Sequence, residues 1–242
     1  LNNGSLLFDC GCDWHYNCTE IETILSEKNI KDTVLIISHW DLDHYKLIDT
    51  PNLTLLNKVE FAIFPSIMYS LTSKRIASHL IGQLGDRCWV ISPAKCDNSD
   101  RLKLETPLYF PFGENYIDLF VGKNVSSTNI SGISLTVSTQ SQALMLTGDH
   151  DSSQVWNEQI NYIRANTTSK DFNIVVPHHG GGKAPQSVPS FFSLNCKNAI
   201  ISVGIDNKYG HPFKSVTEFY KKHFGCLLMT SSFYSDIEIT LN

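Results

Sequence analysis

The segment Ser38-His39-Trp40-Asp41-Leu42-Asp43-His44 holds four side chains able to bind a metal ion, His39, Asp41, Asp43 and His44, within six residues. Imidazole and carboxylate are the ligand types that suit zinc, manganese and iron. A carboxylate can also bridge two ions, which an imidazole cannot. Two ions roughly 3.5–4 Å apart can stabilise the attacking and the leaving oxygen of a phosphodiester, and a water on such an ion ionises near pH 7. The chemistry to which this cluster points is hydrolysis.

The same residue types return in Gly148-Asp149-His150-Asp151, in His178-His179-Gly180-Gly181-Gly182 and in Asn207-Lys208-Tyr209-Gly210-His211-Pro212, so that six of the nine histidines lie in four short segments. Each segment alone has an ordinary explanation. Aspartate is a favoured helix N-cap, so Asp149-His150-Asp151 could serve only to start a helix. His178-His179-Gly180 could be a polar turn, its glycines permitting sharp bends or close approach of backbone to a ligand. His15, His79 and His223 have only structural readings. What unites the four segments is that each follows a stretch that reads as a strand, and in layered α/β folds sites gather at loops beyond strand ends.

The elements that must position them follow from periodicity. The apolar runs Val34–Ile37 and Ile174–Val176 are those of strands buried on both faces. Further strands are predicted at Leu6–Phe8, Thr33–Ile37, Phe61–Phe64 (stopped by Pro65), Trp89–Ile91, Leu108–Phe110, Tyr116–Val121, Ser134–Ser138, Ala143–Leu146, Asn173–Val176 and Ala199–Val203, with two more at the C-terminus. Helices are predicted over Thr19–Lys28, opened by the capping box Thr19-x-x-Glu22, and over Ser66–Leu84, ended by Gly85. Two others are predicted over Ser152–Arg164 and Phe213–Lys222. Strands outnumber helices and the two are interspersed, which implies an α/β architecture with sheets covered by helices.

Composition sets the outer bounds. The 242 residues suffice for a real core, and the chain is read as one domain spanning 1–242, compatible with a piece of a longer protein because it lacks an initiating Met. No apolar run approaches the roughly 20 residues of a membrane span, and Leu1-Asn2-Asn3-Gly4 is not the start of a signal peptide. The formal net charge of −5 does not advertise nucleic-acid binding, although a metal or a local basic patch can supply a positive field. Seven cysteines at irregular spacing argue against a disulfide framework and fit a reducing compartment, so a cytoplasmic location is expected. Cys10-Gly11-Cys12 with Cys18 lacks the second pair that a zinc knuckle needs.

In this order, His39-x-Asp41-x-Asp43-His44, Gly148-Asp149, His178-His179-Gly180 and Tyr209-Gly210-His211-Pro212 resemble the metallo-β-lactamase superfamily. The nearest likeness is to the metallo-β-lactamase domain of ComEC-type DNA-uptake proteins and their stand-alone relatives. That branch carries an aspartate where most of the superfamily has its second histidine, as Asp41 does here. Asp9-Cys10-Gly11 resembles the family's early Asp-x-Gly turn, and Asn129 to Leu135 resembles the Asn/Ser-rich stretch that this branch has before a strand. Tyr45-Lys46 stands where a Gly-Gly is usual, Gly181 where a serine is usual, and the superfamily's leading strand has no counterpart before Leu1.

The resemblance implies an αββα sandwich of two mixed sheets flanked by helices, with metal bound at one edge. It implies that His39 and Asp41 hold one ion, that Asp43 and His44 hold a second, and that Asp149 bridges. A late histidine, one of His178, His179 and His211, completes the second set. The working assignment puts His178 on the metal and gives Asp43, His179 and His211 the catalytic roles, Asp43 by orienting the attacking water. The cofactor is expected to be Zn²⁺ or Mn²⁺, with Mg²⁺ admissible, one or two per chain. The expected activity is metal-dependent phosphodiester hydrolysis, with DNA as substrate. Lys183, Lys208, Lys214, Lys221 and Lys222 are candidates for phosphate contact, or an ordinary solvated surface. Lys183, Asn207, Lys208 and Tyr209 form the candidate substrate-binding set. The alternatives are hydrolysis of a small ester, lactone or thioester, and a non-catalytic module of a larger assembly. A nuclease in a cell also calls for gating by a regulatory partner domain or subunit.

Overall fold

The computed structural model describes residues 5–11, 23–24, 26–27, 33–49, 55–93, 108–112, 115–123, 127–166, 171–185, 195–204, 207–224, 226–230 and 237–241. They form two sheets. The first contains β1 (Ser5–Phe8), β2 (Thr33–Ile36), β3 (Val59–Pro65) and β4 (Cys88–Ile91) in that order, all parallel. The second is built from β5 (Leu108–Phe112), β6 (Asn115–Val121), β7 (Ile133–Ser138), β8 (Gln142–Leu146), β9 (Asp171–Val175), β10 (Asn195–Ile201) and β11 (Leu227–Met229). Its order is β11-β10-β9-β8-β7-β6-β5, parallel from β8 to β11 and antiparallel from β5 to β8.

Alternation of side chains along β2 explains the layers. Successive residues of a strand point to opposite faces, and Val34, Leu35, Ile36 and Ile37 are all fully withdrawn from water. Val34 and Ile36 pack with Ile63 against Ile117, Leu119, Ile133 and Leu135 of the second sheet. Leu35 and Ile37 face the other way, onto Ile76, Ala77, Leu80 and Leu84 of the helix Leu71–Leu84. On the far side of the second sheet, Met145, Ile174 and Ile201 meet Val155, Trp156 and Ile160, and Val216 and Tyr220 of the helix Lys214–His223. The molecule is thus a mixed α/β structure of helix, sheet, sheet and helices. Parallel pairing within β1–β4 and within β8–β11 brings the C-terminal ends of each set to a common edge. The two sheets are joined near that edge by Ile133 N–H donating to the Ser38 carbonyl at 2.7 Å.

The strands lie where the hydrophobic pattern puts them, with ends shifted by one to four residues. The helix predicted from Ser66 begins instead at Leu71. Ser66 N–H donates to Ile91 O and prolongs the sheet, and Ser70 is the N-cap, its hydroxyl accepting from Ser73 N–H. The helix predicted over Ser152–Arg164 is Ser152–Gln154, a π turn over Val155–Gln159, then Ile160–Asn166. Of the Thr19–Lys28 helix, Thr23, Ile24, Ser26 and Glu27 are helical and the rest falls outside the described residues. One of the two C-terminal strands is β11; residues 237–241 carry no strand, and 231–236 fall outside the described residues. Among the described residues, no helix is long and apolar enough to cross a membrane.

Because Ile36 belongs to the layer between the sheets, Ile36→Ala should lower unfolding stability by about 2–5 kcal/mol through an unfilled cavity. Urea denaturation measures it. A loss under about 1 kcal/mol would contradict the inter-sheet placement.

Candidate metal centre

Backbone geometry first decides which side chains reach the edge. After β2 the chain alternates. His39 turns to the site and Trp40 turns into the core, its indole N–H donating to Pro65 O at 2.8 Å and its ring edge-on to Tyr45 and Phe64. A single helical turn, Leu42–Tyr45, follows and carries Asp43 and His44. Tyr45 is buried in the same core cluster as Trp40.

Asp9, just beyond β1, organises the floor. Its Oδ1 accepts from Ser38 N–H at 2.6 Å, and its Oδ2 accepts from Ser38 Oγ at 2.7 Å and from His44 Nδ1 at 2.8 Å. Ser38 Oγ lies 2.9 Å from His39 Nδ1, and His179 Nδ1 donates to Ser202 O at 2.7 Å. With Nδ1 engaged on all three rings, Nε2 is the atom each presents to the centre. A carboxylate or carbonyl behind an imidazole fixes the tautomer that binds metal.

All of these Nε2 atoms converge on Asp149. Its Oδ1 stands 3.4 Å from His44 Nε2 and 3.6 Å from His179 Nε2. Its Oδ2 stands 3.7 Å from His39 Nε2 and 3.8 Å from His178 Nε2. Asp41 Oδ2 is 3.6 Å from His39, and Asp43 Oδ2 is 3.5 Å from His179 and 3.9 Å from His44. These separations are too long for hydrogen bonds. They suit donors that share an ion, since two atoms each about 2.1 Å from it at a tetrahedral angle stand about 3.4 Å apart. The Nε2 atoms of His39, His44 and His179 and Oδ1 of Asp149 are buried and make no hydrogen bond among the described residues. Buried polar atoms left unpaired are costly unless something satisfies them, and a cation would satisfy all four. His39, His44 and Asp149 form a buried group able to hold a metal ion; Asp43, His44 and His179 form a second, more open one.

Several backbones here are strained. Asp9, His178 and His179 have φ of 59°, 52° and 53°, a left-handed conformation that costs a non-glycine residue about 1–2 kcal/mol. Gly148 has φ of 53°, and a Cβ there would stand 2.8 Å from Ser38 Cβ, so only glycine lets Asp149 close over Ser38. At Gly181 a Cβ would stand 2.5 Å from His211 Cε1, so a side chain there would displace the His211 ring.

Protonation follows from the same contacts. Burial opposes charge on His44, but Asp9 and Asp149 outweigh it and hold its pKa well above the imidazole range. Burial likewise opposes charge on Asp149, but His44, His39 and His179 hold its pKa far below the carboxylate range. Asp41 is lowered mainly by His39, against some burial. Asp43, though partly desolvated, is lowered by His179 and His44.

The sequence-derived candidates therefore divide. His39, Asp41, Asp43, His44, Asp149, His178 and His179 come together around the Asp149 carboxylate. His179, expected from the sequence to be catalytic, stands beside Asp43 and His44 in a group that could hold a metal ion. His211 stands behind His178, ring centroids 5.5 Å apart, its pKa lowered by burial. Asn207 is used structurally: its Oδ1 accepts from His211 N–H and its Nδ2 donates to His211 O. Lys183, Lys208 and Tyr209 are exposed. His150 turns away to Asn129 O, and burial lowers its pKa to about 4. Asp151 caps its helix through a capping box. No motif or periodicity marks Thr128, which donates to Asp41 Oδ1 at 3.1 Å. Asp9 was visible only as part of a turn. No family model and no curated protein matches this chain.

His44 must lose its Nε2 proton to bind metal. Because its pKa is raised in the metal-free chain, uptake at pH 7 should release about one proton, and affinity should weaken as pH falls below that raised pKa. Calorimetry in buffers of different ionisation enthalpy reads the proton count. A count of zero would contradict the raised pKa.

Proposed function

We propose that this chain is a metal-dependent hydrolase of phosphodiesters, a DNA nuclease of the metallo-β-lactamase superfamily with that superfamily's αββα fold. The observation that carries this is the Asp149 carboxylate, which offers one oxygen to His44 and His179 and the other to His39 and His178. His39, Asp41, His178 and Asp149 would hold a first divalent ion; Asp43, His44, His179 and Asp149 would hold a second. Carboxylate-rich sets of this kind suit Mn²⁺ or Mg²⁺ as well as Zn²⁺.

Such ions supply Lewis acidity, polarising a phosphoryl oxygen and lowering the pKa of a water at the site to about 7. The protein's own residues do the rest. His39, His44 and Asp149 form a floor shielded from solvent, while Asp41 and Asp43 keep 45% and 58% of their side chains exposed at the mouth. Asp43, lowered in pKa, is an ionised acceptor that can orient an attacking water. His211, lowered in pKa, is neutral at pH 7 and offers a ring N–H to a phosphate oxygen. Lys183 and Lys208 are exposed, and in this reading they would contact backbone phosphates.

A second reading keeps the centre and changes the substrate to a small apolar ester or lactone. Tyr209 and Phe213, with ring centroids 6.0 and 5.1 Å from that of His211, are 74% and 42% exposed and would suit an acyl chain.

Incubation with plasmid and linear DNA plus Mn²⁺ tests the first reading. The native chain should cut, and Asp43→Ala and Asp149→Asn should lose at least about 100-fold in rate while keeping the native circular dichroism. Cutting by both variants at the native rate would refute it. Hydrolysis of a small ester with DNA left intact would select the second.

A further inference from the structure

Asp41 is held differently from His39, His44, His179 and Asp149. His39, His44 and His179 each have the far side of the ring hydrogen-bonded, and Asp149 is enclosed by them. Asp41 is half-exposed and sits at the N-cap of the Leu42–Tyr45 turn, yet its side chain makes no capping hydrogen bond. A carboxylate left so can swing between offering one oxygen and two. Among the described residues, the donor that restrains it is Thr128, 87 residues away, whose hydroxyl is 3.1 Å from Asp41 Oδ1. The other oxygen, Oδ2, is the one facing His39 Nε2.

Thr128 is itself firmly placed. The loop 127–132 is closed by Ser131 N–H and Ser131 Oγ donating to Ser127 O, at 3.1 and 2.6 Å. It is tied to the helix Ser152–Gln154 by Gln154 Nε2 donating to Ile130 O at 3.1 Å. Gly132 follows without a Cβ, whose place is 2.9 Å from Ser38 O, so the loop lies directly against the His39 segment. Thr128 Oγ also lies 2.9 Å from Asn129 Oδ1. A hydroxyl has one proton, and the charged carboxylate is the stronger acceptor.

We infer that Thr128 is a positioning residue of the first metal group: by occupying Asp41 Oδ1 it leaves Oδ2 alone for the ion, making Asp41 a one-oxygen ligand. The inference rests on the two-ion reading of the site. It also gives the 127–132 loop a purpose, to bring a hydroxyl from the second sheet to a ligand of the first.

Hydrogen bonds behind metal ligands are worth about 10–100-fold in affinity. Calorimetric Mn²⁺ titration of the native chain, Thr128→Val, Thr128→Ser and Asp43→Asn tests this, alongside thermal unfolding of the metal-free forms. The binding step that Asp43→Asn spares belongs to the first group. Thr128→Val should weaken that step about 10–100-fold and leave the other unchanged. Thr128→Ser should restore it, and the metal-free Thr128→Val protein should unfold close to the native temperature. Native-like binding of both ions by Thr128→Val would overturn this inference alone. Equal weakening of both steps with a lowered metal-free unfolding temperature would reduce Thr128 to a loop-folding role and overturn it as well. A native chain that takes up no ion would overturn the metal reading and this inference with it.

Discussion

Asp149 is a carboxylate with 6% of its side chain exposed, and burying such a charge costs several kcal/mol unless compensating groups surround it. The rest of the edge is arranged around that requirement. His39 and His44 approach it from the segment after β2, and His178 and His179 from the segment after β9, each near 3.4–3.8 Å. In the metal-free chain a proton on His44 offsets part of the charge, with Asp9 behind the ring to stabilise it. A divalent ion on each side would do so more fully. Asp9, Ser38 and the carbonyl of Ser202 are therefore as much part of this edge as the rings themselves: they decide which nitrogen of His39, His44 and His179 faces Asp149.

Stability and chemistry pull against each other here. Three residues of the site, Asp9, His178 and His179, adopt a left-handed backbone that is unfavourable for side chains with a Cβ. Such strain persists only where surrounding structure over-determines it. The tethers are visible: Asp9 N–H donates to Ile36 O, His178 N–H to Gly148 O, and Phe213 N–H to Gly180 O. The fully buried strand β2 and the apolar layer between the sheets supply the rigid base to which these tethers attach.

Much of this was legible in the residues. The doubly buried strands showed as unbroken apolar runs, and the four chemical segments showed as His/Asp clusters just after them. Ordering the late histidines was beyond reach. His178 and His179 are adjacent, and which one meets Asp43 depends on two successive left-handed residues that no periodicity encodes. Asn207, a candidate substrate contact in the sequence, has its amide engaged within its own turn by the His211 backbone. Thr128 and Asp41 meet across 87 residues and two sheets, a contact fixed only when Ile133 docks on Ser38. The early start predicted for the Leu71–Leu84 helix failed because Ser66 to Ser70 offers no periodic signal, while the Ser70 hydroxyl caps at its actual beginning.

Anomalous diffraction from crystals grown with Mn²⁺ tests most directly whether the Asp149 carboxylate bridges a pair of ions. Two anomalous peaks about 3.5–4 Å apart, one beside each oxygen of Asp149, with His39 on one side and His44 and His179 on the other, are the expected result. An absence of anomalous density at Asp149, in crystals whose protein has been exposed to saturating Mn²⁺, would contradict it.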